Sequence, residues 1–127
     1  MNNKILLIDD EISVLELLSM RLKEAGYDVY TESSAKTGLQ LFKECGPFLL
    51  LTDLNLLGVD GATLAGQIHV IDPMCICIAI TGFLDSFSLG YLLGSVFTDV
   101  LIKPVSDELL LSVVAYAQDK YQRWQSY

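Results

Sequence analysis

The chain has 127 residues, 52% of them hydrophobic, which is the size of one ordinary domain with apolar material for one core. Asp and Glu number 16 against 8 Lys and Arg, a formal charge of −8 that excludes a basic nucleic-acid surface and leaves any DNA contact to a partner. The apolar start Ile5 to Ile8 runs straight into Asp9 and Asp10, too short for a signal-peptide core or a membrane span, so the protein is expected in the cytoplasm.

Strand-length apolar runs alternate with stretches of helical period along the whole chain. The first strand is expected at Lys4–Ile8. The helix after it, Ser13–Ala25, spaces Val14, Leu17, Leu18 and Leu22 helically and stops at Gly26, a suitable residue for the left-handed position past a helix end. Strand two, Tyr27–Thr31, leads to helix Ala35–Cys45, which carries Leu39 and Phe42 inward and stops at Gly46-Pro47. Strand three at Phe48–Thr52 precedes helix Gly61–Val70, and strand four at Cys75–Thr81 precedes helix Leu84–Gly94. Strand five at Asp99–Ile102 leads to helix Ser106–Gln122, with Ser106 as N-cap and Asp107 and Glu108 in the first turn. Such repetition predicts an α/β fold around a parallel sheet, and the nearly unbroken apolar runs suit strands covered by helices on both faces. One domain is expected over 1–122, with 123–127 either the frayed end of the last helix or the start of a connector.

Cys45, Cys75 and Cys77 are an odd and sparse set that does not suggest a disulfide framework. Cys75 and Cys77 point to one face of their strand with only His69 near as a further ligand, so a zinc site is not expected and small buried core residues are. His69 itself is expected to be a surface or half-buried structural residue.

In an open parallel sheet, ligands bind beyond the carboxyl ends of the strands, so the polar residues at those ends carry the functional information. Strand one ends in Asp9-Asp10-Glu11, strand three in Asp53 with Asn55 just after, strand four in Thr81-Gly82 and strand five in Lys103-Pro104. Clustered carboxylates resist joint ionisation unless a cation sits among them, and hard oxygen donors without His or Cys suit Mg2+. Asp53 is then placed to act as a carboxylate nucleophile toward phosphorus, with Lys103 and the Thr81 hydroxyl compensating charge on the phosphoryl oxygens and Gly82 leaving room for a backbone N–H to approach.

Through Ile8-Asp9-Asp10-Glu11, Asp53-Leu54-Asn55, Gly58-Val59-Asp60-Gly61, Thr81-Gly82 and Lys103-Pro104, in that order and each at a strand end, the chain resembles the response-regulator receiver domains of CheY type over essentially its whole length. The resemblance implies a doubly wound, flavodoxin-like sheet of order 2-1-3-4-5 with five helices. It implies a phosphoacceptor at Asp53 and a Mg2+ held by Asp9, Asp10, Asp53 and the Asn55 backbone carbonyl. Thr81, Gly82 and Lys103 become the phosphate-binding residues, and the bond before Pro104 is cis, a state open at modest cost only to X-Pro. The donor would be a histidine kinase or phosphotransfer protein, and the chain a switch that catalyses its own phosphoryl transfer and not a metabolic enzyme.

The chain departs from the family pattern at Val100, where relatives carry an aromatic that swings inward, at Leu57, where proline is usual, and at Val96-Phe97, where Gly-Ala is usual. These changes touch signal readout more than chemistry. A degenerate module that signals without phosphorylation is the alternative they suggest. A phosphohydrolase using Asp53 would need an acid where Asn55 stands. The fourth helix is apolar almost all round, with Leu84, Phe87 and Tyr91 on one stripe, and the last helix is broadly apolar too, so a partner face that could form a homodimer is expected there. No DNA-binding or catalytic output segment follows the last helix, so the chain is expected to act through a partner or to be part of a longer protein.

Overall fold

Strands and helices alternate as β1 (Lys4–Ile8), α1 (Ile12–Glu24), β2 (Asp28–Glu32), α2 (Ala35–Cys45) and β3 (Leu49–Asp53), then α3 (Gly61–Ile71), β4 (Ile76–Thr81), α4 (Ser86–Leu93), β5 (Phe97–Ile102) and α5 (Asp107–Gln125). The computed structural model describes residues 1–83 and 86–127, residues 86 and 87 by their backbone alone. Every strand pairing is parallel and the order is β2-β1-β3-β4-β5, as the resemblance implied.

The period of two in each strand divides the core into two layers. Ile5 and Leu7 of β1, Leu49 and Leu51 of β3 and Ile76, Ile78 and Ile80 of β4 face α1 and α5, meeting Leu15, Leu18 and Leu22 from one and Leu110, Val114 and Ala117 from the other. On the opposite side Leu6, Ile8, Leu50, Cys77 and Ala79 meet Phe42 of α2, Leu64, Ala65 and Ile68 of α3 and Leu92 of α4. β3 and β4 are buried at every residue because helices cover both faces, which is why they read as unbroken apolar runs. Cys75 and Cys77 are buried and unpaired, as expected of small core residues, while Cys45 is half-buried on α2 and His69 half-buried on α3.

Three expectations are corrected. The stripe of α1 that packs on the sheet is Leu15, Leu18 and Leu22, and Leu17 is 47% exposed instead of facing inward. β5 begins at Phe97, two residues earlier than predicted, because Thr98 is an extra residue between the pairs Cys77–Phe97 and Ile78–Asp99, a bulge that breaks the alternation. α5 continues to Gln125, with Ser106 capping its start through the Leu109 N–H at 3.2 Å. The start of α4 expected at Leu84 lies outside the described residues. Among the described residues, no helix is long and apolar enough to cross a membrane.

Candidate functional site

Parallel pairing brings Ile8 beside Thr52, Asp53 beside Ile80 and Thr81 beside Ile102, so the residues that end four strands share one edge of the sheet. Asp9, Asp53 and Thr81 are buried there, although all three are polar. One carboxylate oxygen from each of Asp9, Asp10, Glu11 and Asp53 falls within 4.8 Å of the others. Into this cluster β5 delivers Lys103, whose Nζ lies 2.9 Å from Asp9 Oδ2, 3.1 Å from Asp53 Oδ2 and 3.3 Å from Glu11 Oε1.

Backbone amides hold the two buried carboxylates in place. The Glu11 N–H donates to Asp9 Oδ1 at 2.9 Å and the Asn55 N–H to Asp53 Oδ1 at 3.1 Å. Burial pushes the Asp9 carboxyl above its ordinary value, against the opposing effects of Lys103 and the Glu11 amide, and the Asp53 charge adds to the rise. Burial alone would depress the Lys103 ammonium, but its contacts with Asp9 and Asp53 outweigh that, so its pKa is raised and it stays charged.

One ammonium cannot neutralise four carboxylates, and Asp9 Oδ2, buried and without an aligned hydrogen bond, faces only the Lys103 charge. A buried carboxylate oxygen whose one partner is an ammonium shared with two other acids, among all-oxygen donors, fits a hard divalent cation better than a softer metal. Asp10 is exposed at the mouth of the cluster, open to such an ion.

The loop after β3 is shaped to fit Asp53. Gly58 has φ +83°, the left-handed region glycine supplies, and a Cβ on Gly61 would collide with the Asp53 backbone carbonyl. α3 therefore begins against the backbone of Asp53 itself, fixed by the Gly61 N–H donating to the Leu54 carbonyl at 3.1 Å and by Asp60 accepting from the Thr63 N–H at 2.8 Å. On the neighbouring strand the Thr81 hydroxyl donates to the Phe83 carbonyl at 3.0 Å and accepts from the Phe83 N–H at 3.4 Å. Gly82 is exposed, and an added Cβ there meets nothing within 4 Å. The Lys103–Pro104 peptide is cis, and the Lys103 N–H donates to the Thr81 carbonyl at 2.8 Å.

The strand ends thus bring together Asp9, Asp10, Asp53 and Lys103, with Thr81 one strand away and Asn55 tied to Asp53. Glu11 belongs with them and was not singled out from sequence. Its signal was its place in the acidic run, and as N-cap of α1 its side chain makes no capping bond, which leaves it free to reach Lys103. On the α4 side, Leu92 is buried while Tyr91, at 72% exposure, and Leu93, Ile102 and Tyr116 are open to solvent. Leu84 and the Phe87 side chain, named with Tyr91 as a partner face, lie outside the described residues. Val100 is half-buried against the α4 layer.

Comparison with known proteins agrees with this arrangement. The response regulator receiver domain model matches residues 5–115. The chain is 34% identical over 108 residues to the alkaline phosphatase synthesis transcriptional regulatory protein PhoP of Bacillus subtilis, covering 84% of this chain and 44% of that protein. It is 33% identical over 114 residues to the transcriptional regulatory protein AruR of Pseudomonas aeruginosa, covering 86% and 46%. The chain therefore spans less than half the length of these curated relatives. Among solved structures, a receiver domain from Clostridium thermocellum superposes with a TM-score of 0.84 at 28% identity, covering 96% of each chain. A CheY-like receiver from Methanospirillum hungatei shares the fold with a TM-score of 0.90 at 24% identity, over 97% of this chain and 98% of that one. An edge built of these residues, on this sheet, in a chain matched over nearly its whole length, makes the protein a member of the response regulator receiver domain family of two-component signalling systems.

Proposed function

We propose that Asp53 is the phosphoacceptor of a phosphorylation switch whose donor is a histidine kinase or phosphotransfer protein and which acts in the cytoplasm. The observation that carries this reading is Asp53 itself, a buried carboxylate 3.1 Å from the Lys103 ammonium within a group of four acids. A carboxylate oxygen of Asp53 attacks phosphorus while the bond to the donor imidazole nitrogen breaks, and the released imidazole takes up a proton. Lys103 follows the charge from the Asp53 carboxylate onto the phosphoryl oxygens, and the Thr81 hydroxyl with the Gly82 amide supplies further hydrogen bonds. Asp9, Asp10, Asp53 and the Asn55 backbone carbonyl would hold Mg2+, which when bound neutralises the acids and the transferring group. Hydrolysis of the acyl phosphate by water returns the free carboxylate.

The donor's approach is supported by an apolar groove of about 340 Å3 beside Lys103, lined by Val14, Leu17, Leu18, Pro104 and Val105, where the unexpectedly outward Leu17 finds a use. For output, the apolar surface of α4, β5 and α5, including Tyr91, is the face for a second copy or an effector. The charged set is intact, so nothing in the site favours a degenerate module that signals without phosphate. Incubation with acetyl phosphate and Mg2+ should add one phosphoryl mass to the chain, and Asp53→Asn should abolish it. Equal labelling of the variant, read by intact mass, would overturn the assignment.

A further inference from the structure

We propose that Phe83 is a moving part of this switch: when the Thr81 hydroxyl leaves the Phe83 backbone, the Phe83 ring folds from solvent into the groove beside β4. The inference rests on the phosphoacceptor reading above and adds to it a second state for a residue that touches neither metal nor phosphate.

Three observations meet at this residue. Thr81 is 2% exposed and commits its hydroxyl to Phe83 in both directions, donating at 3.0 Å and accepting at 3.4 Å. A hydroxyl has one proton to donate, so it cannot serve the Phe83 carbonyl and a phosphoryl oxygen together. Turning to the phosphoryl group breaks the 3.0 Å bond and frees the Phe83 carbonyl. Second, the Phe83 ring is 79% exposed, a large apolar surface left in water in the unphosphorylated state. Third, Phe83 borders a groove of about 400 Å3 lined also by Leu54, Asn55, Thr81, Ser88, Tyr91 and Leu92, roomier than an aromatic ring and with two leucines in its lining.

The two states then exclude one another. In one, Thr81 holds the Phe83 carbonyl and the ring stands in solvent. In the other, Thr81 holds the phosphoryl group, the Phe83 carbonyl turns to water and the ring gains apolar contacts with Leu54 and Leu92. Phosphate at Asp53 favours the second state because only there is the Thr81 proton available to it. Partners reading this edge would meet Phe83 exposed before phosphorylation and withdrawn after it.

The test places one tryptophan at the position. Trp124 is the chain's single tryptophan, so Phe83→Trp combined with Trp124→Phe reports from position 83 alone. Saturation with Mg2+ and beryllofluoride, a phosphoryl mimic, should shift emission to shorter wavelength and reduce acrylamide quenching severalfold, with no change in an added Asp53→Ala background. In parallel, 4-fluorophenylalanine in the otherwise natural chain should show loss of solvent exposure for the signal that disappears in Phe83→Leu. This second measurement stands even where the tryptophan variant folds poorly. If beryllofluoride raises the melting temperature of the natural chain while position 83 stays exposed by both probes, the Phe83 inference is overturned and the receiver reading survives. If beryllofluoride raises no melting temperature, the phosphoacceptor reading itself fails.

Discussion

The acidic edge formed by β1, β3 and β5 and the neighbouring corner formed by β4 and α4 are built on opposite terms. At the acidic edge both buried carboxylates are tied by backbone amides, Lys103 binds three acids, and Gly61 presses α3 onto the Asp53 backbone. At the corner, α4 has eight residues, carries no charge in its first or last turn and buries Leu92 as its anchor among the described side chains. Chemistry that depends on placement within tenths of an ångström is held by directional bonds. Signal transmission needs an element with two arrangements close in energy, and a short helix with one buried side chain among those described is suited to supply it.

Variants can sharpen or break that contrast. The largest expected effect is at Asp10→Ala, which removes the one exposed aspartate of the cation cluster and should abolish most Mg2+ binding while leaving the melting temperature without metal unchanged or higher. Titration calorimetry measures this, and unchanged affinity would remove Asp10 from the site. Next is Gly61→Ala, whose added methyl must displace either α3 or the Asp53 carbonyl. Overpacking of this kind costs about 1–3 kcal/mol, so urea denaturation should show that loss together with slower labelling by acetyl phosphate. If the variant keeps full stability and rate, the acidic edge is less tightly held than the contrast requires.

The smallest effect is expected at Asp9→Asn. The folded-state pKa of Asp9 lies above the ordinary aspartate value of 3.8, mainly because the group is buried. The folded protein thus binds that proton more tightly than the unfolded chain, so stability falls as pH rises from 3.8 through the raised value, and above it the penalty is complete. Replacing the acid by its amide removes the penalty, while Lys103 keeps Asp53 and Glu11 as partners. Without divalent cations the variant should melt higher at neutral pH than the natural chain and lose the slope above pH 3.8, as followed by thermal denaturation across a pH series. Lower stability at neutral pH would show that the Lys103–Asp9 contact outweighs the burial cost.

The order of strands and helices was legible because buried strands and amphipathic helices leave different periods in the sequence, and β1 and α2 fell where those periods placed them. The acids, Thr81 and Lys103 were legible because each stands where an apolar run stops. Leu17 was misplaced because Val14, Leu15, Leu17 and Leu18 offer two helical stripes of similar hydrophobicity, and packing against the sheet, which no local period records, decides between them. The early start of β5 was hidden by Thr98, which shifts the alternation by one residue. Glu11, read only as part of the acidic run, and Phe83, read only as part of an apolar segment, were given no role of their own for another reason. Their importance lies in what their neighbours do, a lysine ninety-two positions away for one and a threonine hydroxyl for the other.

The Thr98 bulge also bears on how copies of this chain can assemble. A sheet with two open edges can grow by adding strands, and an apolar chain is exposed to that route toward fibres. Here one outer strand is twisted by the bulge and the other, β2, carries Asp28 and Glu32 at its two ends. Both edges are thereby blunted against further pairing. Any association is left to the helical surfaces, where a two-fold contact would use up its own patch and close on itself, so that a particle formed that way would stop growing at a defined size.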